Sequence, residues 1–135
     1  MNGNTSEKTN YLIDTNILIR FLKGQTELFD LFDELENLFI SSISVGELMY
    51  SAALSSKKDF NTEVYSDFCD CLNLLVPDAD VAKNYGKVKA ELKAKGHPIP
   101  ENDIWIAATA ISANLTLITA DSDFEGISGL KVLMR

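Results

Sequence analysis

Apolar residues follow two rhythms along this chain. Short runs rich in Leu, Ile and Val alternate with longer stretches in which apolar positions return every three or four residues. The first rhythm belongs to buried strands and the second to amphipathic helices. Residues 11–13 read as a first strand, ending at Asp14. Thr15 and Asn16 are good N-cap types, Ile17, Leu18, Phe21 and Leu22 then repeat at helical spacing, and Gly24 stops the helix. A second helix is expected over 27–37, with Leu28, Leu31, Phe32 and Leu35 on one face. Residues 38–41 read as the second strand. Ser42 or Ser44 is expected to cap a third helix that runs to about Leu54. After a break at Lys57-Lys58-Asp59, the pattern gives a fourth helix over 60–73 and a third strand over 74–76, closed by Pro77. Asp78 caps a fifth helix that reaches about Lys95 and ends on Gly96-His97.

Pro98 and Pro100 hold the next stretch extended, because the residue before a proline is pushed out of the helical region. Glu101, Asn102 and Asp103 supply cap and first-turn residues of a sixth helix. Its Ile104, Ala107, Ala108 and Ile111 fall on one face, and Asn114 stops it. Residues 115–119 form a fourth strand that leads directly to Asp121, and 130–134 a last one. The alternation implies an α/β fold, a three-layer sandwich whose central sheet is mostly parallel with helices on both faces. In such sheets the functional crevice lies beyond the C-terminal strand ends.

The composition, 46 % apolar and 24 % charged over 135 residues, is that of one globular domain with a sizeable core. No apolar run approaches the roughly 18 residues that span a membrane. Residues 1–10 are polar, without the apolar segment of a signal peptide, and read as a flexible lead; 11–135 is the domain. A cytoplasmic protein is expected. Cys69 and Cys71 do not face each other on a helix, so free thiols are expected. The net charge of −8 argues against a general nucleic-acid coat. Lys83, Lys87, Lys89, Lys93 and Lys95 nevertheless crowd one segment whose only acid is Glu91. That segment is either a solvated helix face or a local phosphate-steering patch.

The acids change the picture. Asp14 ends the first strand, Glu47 lies early in the helix after the second, and Asp121 ends the fourth, with Asp123 two residues on. These positions share one edge of a parallel sheet. Asp103 joins them if the chain before it loops back to that edge. Two carboxylates about 4 Å apart repel by roughly 4 kcal/mol at an effective dielectric near 20. Such a cluster therefore calls for a cation. Oxygen ligands with a single histidine, His97, and no cysteine pair suit Mg²⁺ or Mn²⁺ rather than zinc. An all-carboxylate site of that kind typically serves phosphoryl transfer. The alternative for each acid alone is a solvated or capping carboxylate.

Four stretches carry a family resemblance: Leu12-Ile13-Asp14-Thr15-Asn16-Ile17-Leu18-Ile19; Ser44-Val45-Gly46-Glu47-Leu48; Gly96-His97-Pro98-Ile99 leading to Asn102-Asp103-Ile104-Trp105-Ile106-Ala107-Ala108; and Thr119-Ala120-Asp121-Ser122-Asp123-Phe124. In order and spacing they resemble the PIN-domain ribonucleases, and among these the VapC-type toxins of toxin–antitoxin pairs. The resemblance implies that Asp14, Glu47, Asp103 and Asp121 bind the metal and carry catalysis, with Thr15, Asn16 and Thr119 as polar support. Asp123 either replaces or assists Asp121 or is simply exposed. The resemblance further implies Mg²⁺- or Mn²⁺-dependent cleavage of RNA (tRNA, rRNA or mRNA), a homodimer, and a cognate antitoxin that covers the site. Lys83, Lys87 and Lys89 become candidates for RNA steering. Trp105 reads as core or dimer interface, with base stacking as the lesser alternative. Met49 and Tyr50 read as core, with an antitoxin groove as the second reading, and Tyr65 and Phe68 as core.

Two other functions compete. A catalytically silent PIN-like binding module would keep the fold without a working metal site. A phosphoacceptor signalling module would need adjacent acids after the first strand and an acceptor Asp ending a central strand. Thr15-Asn16 follows Asp14, and the third strand ends on Pro77, so that pattern fails.

Overall fold

The computed structural model describes residues 9–33 and 37–135. The lead expected at 1–10 lies outside the described residues up to Lys8, and Leu35 of the expected second helix is outside them too. The chain runs β1 (Tyr11–Ile13), α1 (Thr15–Leu22), a 3-10 helix (Thr26–Phe32), β2 (Leu38–Ser41), α2 (Ser42–Leu54), α3 (Lys58–Asp70), β3 (Asn73–Leu75), α4 (Ala79–Ala94), α5 (Glu101–Ser112), β4 (Thr116–Thr119), a 3-10 turn (Ser122–Gly126) and β5 (Lys131–Met134). The five strands form one sheet in the order β3-β2-β1-β4-β5, and every pairing is parallel. The α/β expectation and its helix-covered sheet hold.

The three inner strands, β1, β2 and β4, are buried on both sides, while the edge strands β3 and β5 are partly exposed. Ile13 and Ile118 point into one core with Ile17, Leu18, Leu48 and Tyr65, while Leu12 and Leu117 point into the other with Leu92, Ile104, Ile106 and Phe124. This is the period of two expected of a strand between two helical layers. Strand order reverses between β1 and β4, so the crevice of the fold opens at their C-terminal ends.

Several boundaries differ from the sequence reading. The second helix is a 3-10 helix over Thr26–Phe32 rather than an α-helix over 27–37. Asp30 and Asp33 sit at its C-terminal end, with no basic residue there to offset the partial negative charge. Helix α1 is capped by Asp14 itself, whose side chain accepts from the Thr15 N–H, and α2 by Ser41 rather than Ser42 or Ser44. Helix α3 and β3 both begin earlier than expected. Asn73 Nδ2 donates to the Leu38 carbonyl at 2.9 Å, and Ser41 pairs with Leu75, so Val76 falls beyond the strand. Leu130 closes a turn onto Ile127 instead of opening β5.

Helix α5 begins at Glu101, with Pro100 at its N-cap and no capping side chain, so Glu101, Asn102 and Asp103 supply first-turn residues but no cap. It is buried beyond the expected face, at Ile106, Thr109 and Ala110 as well as at Ile104, Ala107 and Ala108, while Ile111 is only half-buried. Asn114 ends its loop with φ +55°, a left-handed conformation that asparagine tolerates better than most residues. Tyr65 is buried, and Phe68 is half-buried against the first core. Cys69 and Cys71 are both free thiols, as expected.

Candidate active site

The register between β1 and β4 creates the centre of the site. Ile13 is paired with Ile118, so Asp14 and Thr119 emerge side by side at the C-terminal ends of adjacent strands. The Thr119 hydroxyl donates to Asp14 Oδ2 at 2.7 Å, and the Thr15 N–H donates to Asp14 Oδ1 at 2.8 Å. Both carboxylate oxygens of this buried aspartate, 4 % exposed, are thus oriented. Thr119 Oγ1 also accepts from the Asp121 N–H at 3.0 Å, which turns the chain so that Asp121 follows the strand. Asp121 Oδ1 in turn accepts from the Asp123 N–H at 2.9 Å.

Glu47 arrives from α2. Thr15 Oγ1 donates to Glu47 Oε1 at 2.7 Å and shares a hydrogen bond of 2.8 Å with Ser44 Oγ. Ser44 and Glu47 are one helical turn apart, so both meet the first residue of α1. Asp103 sits in the first turn of α5, whose start packs near the same edge.

These acids lie close enough to act on one another's charge. Burial pushes the Asp103 carboxyl up to about 7, with Asp14, Glu47, Asp121 and Asp123 adding repulsion in that order. Asp14 is also raised, chiefly by burial and further by Glu47 and Asp121, against the lowering effect of its Thr119 and Thr15 hydrogen bonds. The loop-back required of Asp103 therefore occurs. Among the described residues, however, no group of three or more His, Cys, Asp or Glu side chains stands ready to hold a metal ion. The acids act on one another's charge without forming such a group.

The remaining candidates divide. Thr15 and Thr119 contact the acids; Asn16 does not, because its exposed side chain lines an open groove on the far side of Glu47. Asp123 lies at the rim, where His97 Nε2 is 3.5 Å from its Oδ1. Lys83, Lys87 and Lys89 are exposed on α4. Lys89 is held by Glu101 at 2.9 Å, so it is partly neutralised. Tyr85 also bonds Glu101 and stacks on Trp105, with ring centroids 4.1 Å apart. Trp105 therefore packs α5 against α4 and is only half-buried. Tyr50 corrects its reading as core: it is 66 % exposed in the groove beside Glu47. Met49 is half-buried against the first core. Ser44 and His97 were not anticipated as part of the site. The serine's spacing of three from Glu47 was the available signal.

A doubly wound parallel sheet with carboxylates gathered near its switch point defines a class of α/β domain with an acidic crevice. The chain belongs to the PIN domain family, whose model matches residues 11–130. The resemblance read from the four sequence stretches is thereby borne out. Among its relatives, "Ribonuclease VapC2" of Haemophilus influenzae is 37 % identical over 124 residues, spanning 90 % of this chain and 94 % of the relative. The "tRNA(fMet)-specific endonuclease VapC" of Shigella flexneri is 32 % identical over 126 residues, spanning 90 % of this chain and 94 % of that protein. The structure of DNA-bound VapBC from Salmonella typhimurium contains a similar chain, with TM-score 0.89 and 31 % identity, covering 94 % of this chain and 98 % of the other.

Proposed function

We propose that this protein is a Mg²⁺- or Mn²⁺-dependent endoribonuclease and the toxin of a VapBC-type pair, cleaving tRNA, rRNA or mRNA to stop translation. The observation that carries the reading is the joining of acids remote in the chain, Asp14 and Asp121 through Thr119 and Asp14 and Glu47 through Thr15, with burial and these acids pushing the nearby Asp103 carboxyl up to about 7. Such repulsion is costly to keep, perturbed acids of this kind cluster at functional sites, and a divalent cation would relieve the repulsion.

The donor set fits that ion. Asp14, Glu47, Asp103 and Asp121 offer only oxygen, the ligand type that Mg²⁺ and Mn²⁺ take. Bound there, the ion would acidify a water and steady the phosphate oxygens for in-line attack. Thr119 and the Thr15 N–H fix both oxygens of Asp14, and the Thr15 hydroxyl fixes Glu47. Asp121 is held by its own turn, with Asp123 as a rim acid that assists it. Lys83 and Lys87 are the lysines of α4 that we assign to steering RNA, with a lesser part for Lys89 because Glu101 already holds it.

The relatives named as VapC and the VapBC complex support an antitoxin partner. With a net charge of −8, the chain suits a basic segment of such a partner. A homodimer acting in the cytoplasm, with 1–10 as a lead to a single nuclease domain at 11–135, completes the reading. Among the described residues no helix is long and apolar enough to cross a membrane. A catalytically silent family member is the second reading, and the lack of a ready metal-holding group among the described residues favours it.

Cleavage of total tRNA and rRNA by purified protein with Mg²⁺ or Mn²⁺ separates the two. Wild type is expected to cut, and Asp14→Asn and Asp103→Asn to lose at least about a hundredfold in rate, the scale of removing a principal charge-stabilising group. Equal rates in wild type and both variants would reject the nuclease reading.

A further inference from the structure

One groove reaches beyond the acids and shares Thr15 and Glu47 with their site. Helices α1 and α2 and the start of α5 leave an open groove of about 730 Å³. Glu47 is its one charged lining residue, and its carboxyl already accepts from the Thr15 hydroxyl. Beyond Glu47 the lining is uncharged: Asn16, Ser42, Ser51 and Asn102 offer amide and hydroxyl groups, and Ile19 and Leu54 supply apolar walls. Asn16 and Asn102 are exposed. At the outer end Tyr50 is 66 % exposed, an aromatic ring on a helix that buries Leu48 and Ala52 completely.

We infer that this groove is a subsite for one unpaired base of the RNA, next to the phosphate that the acid pocket cleaves; the inference rests on the nuclease reading above. The chemistry matches a base better than a phosphate. A phosphate would seek cations, and this lining has none. Every base offers a flat ring that stacks on an aromatic side chain, together with an edge of donors and acceptors that amides satisfy. Asparagine has both a donor and an acceptor on one planar group, the arrangement that pairs with a base edge. Because the base must leave its stack to enter, the groove selects single-stranded or looped RNA over a regular duplex.

In this arrangement Tyr50 stacks on the base, and Asn16 and Asn102 read its edge. Glu47 sits between the base and the other acids. Occupation of the groove thus sets which phosphodiester lies over the acid pocket.

The test is binding, read by fluorescence anisotropy with Ca²⁺ in place of the catalytic ion. The probes are short labelled oligomers of A, U, C or G and an abasic ribose-phosphate oligomer of the same length. Wild type is expected to bind at least one base-bearing oligomer about tenfold or more tightly than the abasic one, the scale of a single base–aromatic stack. Tyr50→Ala is expected to bind both as weakly as wild type binds the abasic oligomer. Tyr50→Phe keeps the ring and should restore the preference. Asn16→Ala should change which base is preferred while leaving abasic binding unaltered.

Wild-type preference retained in Tyr50→Ala, or no preference in wild type, overturns the subsite; in the first case the groove serves a protein segment instead. RNA bound with that preference but never cut under Mg²⁺ or Mn²⁺ would sink the nuclease reading and leave the groove standing.

Discussion

Thr119 shows how much of the site depends on groups that carry no charge. Its one hydroxyl donates to Asp14 and accepts from the Asp121 backbone, joining two acids that are remote in the chain. Thr119→Val keeps the shape and removes the hydroxyl. The loss of a hydrogen bond to a charged group, worth about 1.5–3 kcal/mol, predicts a tenfold to hundredfold fall in RNA-cleavage rate with the fold retained. Thr119→Ser should recover most of it, and steady-state rates of the two variants beside wild type check this. An unimpaired valine variant would mean that Asp14 needs no orientation. At this scale the acids were legible, because carboxylates at the ends of buried strands are out of place unless used. The polar groups around them were only partly legible. Thr15 and Asn16 are adjacent and both polar, but a helix turns about 100° per residue, so only the Thr15 hydroxyl reaches Glu47, although both residues line the groove. Ser44 read as a helix cap because serines near helix starts usually are.

The elements were legible in kind and less so in their ends. Strands β1, β2 and β4 are apolar on both faces and announce themselves. The 3-10 helix at Thr26–Phe32 did not, because an apolar repeat every three or four residues fits both helix types over so short a stretch. Caps were the weakest point where several candidates stood together, as at Ser41, Ser42 and Ser44. Asp78 was unambiguous, and its side chain accepts from the Val81 N–H at 3.0 Å. It lies outside the acid site, so Asp78→Ala should lower stability by about 1 kcal/mol and leave the cleavage rate of folded protein unchanged. Urea unfolding and a rate measured well below the transition check both halves. A changed rate would tie α4 to the acid pocket more closely than the structure does.

At the scale of the whole molecule, the decisive feature is that topology brings acids together against their own repulsion. The strand order and the return of the chain at α5 were not written in any local pattern; only the alternation of elements limited the choices. The consequence is measurable without RNA. Asp103 ionises near 7 in the folded protein, against an ordinary value of 3.8. Between these values the native state holds a proton that the unfolded chain has released. Metal-free stability therefore falls as pH rises from about 4 to about 7 and levels off above, by about 1–2 kcal/mol for this half-buried group once solvent screening is allowed for.

The most direct test is the melting temperature of wild type and Asp103→Asn, followed from pH 5 to 8 with and without saturating Mg²⁺. Metal-free wild type should melt lower as pH rises, and the variant should lose much of that slope. Mg²⁺ at pH 8 should raise wild type by the equivalent of about 2.7 kcal/mol at a hundred times its Kd, and the variant far less. Equal slopes and equal stabilisation in the two proteins would mean that Asp103 shares no charged pocket and that no divalent ion belongs there.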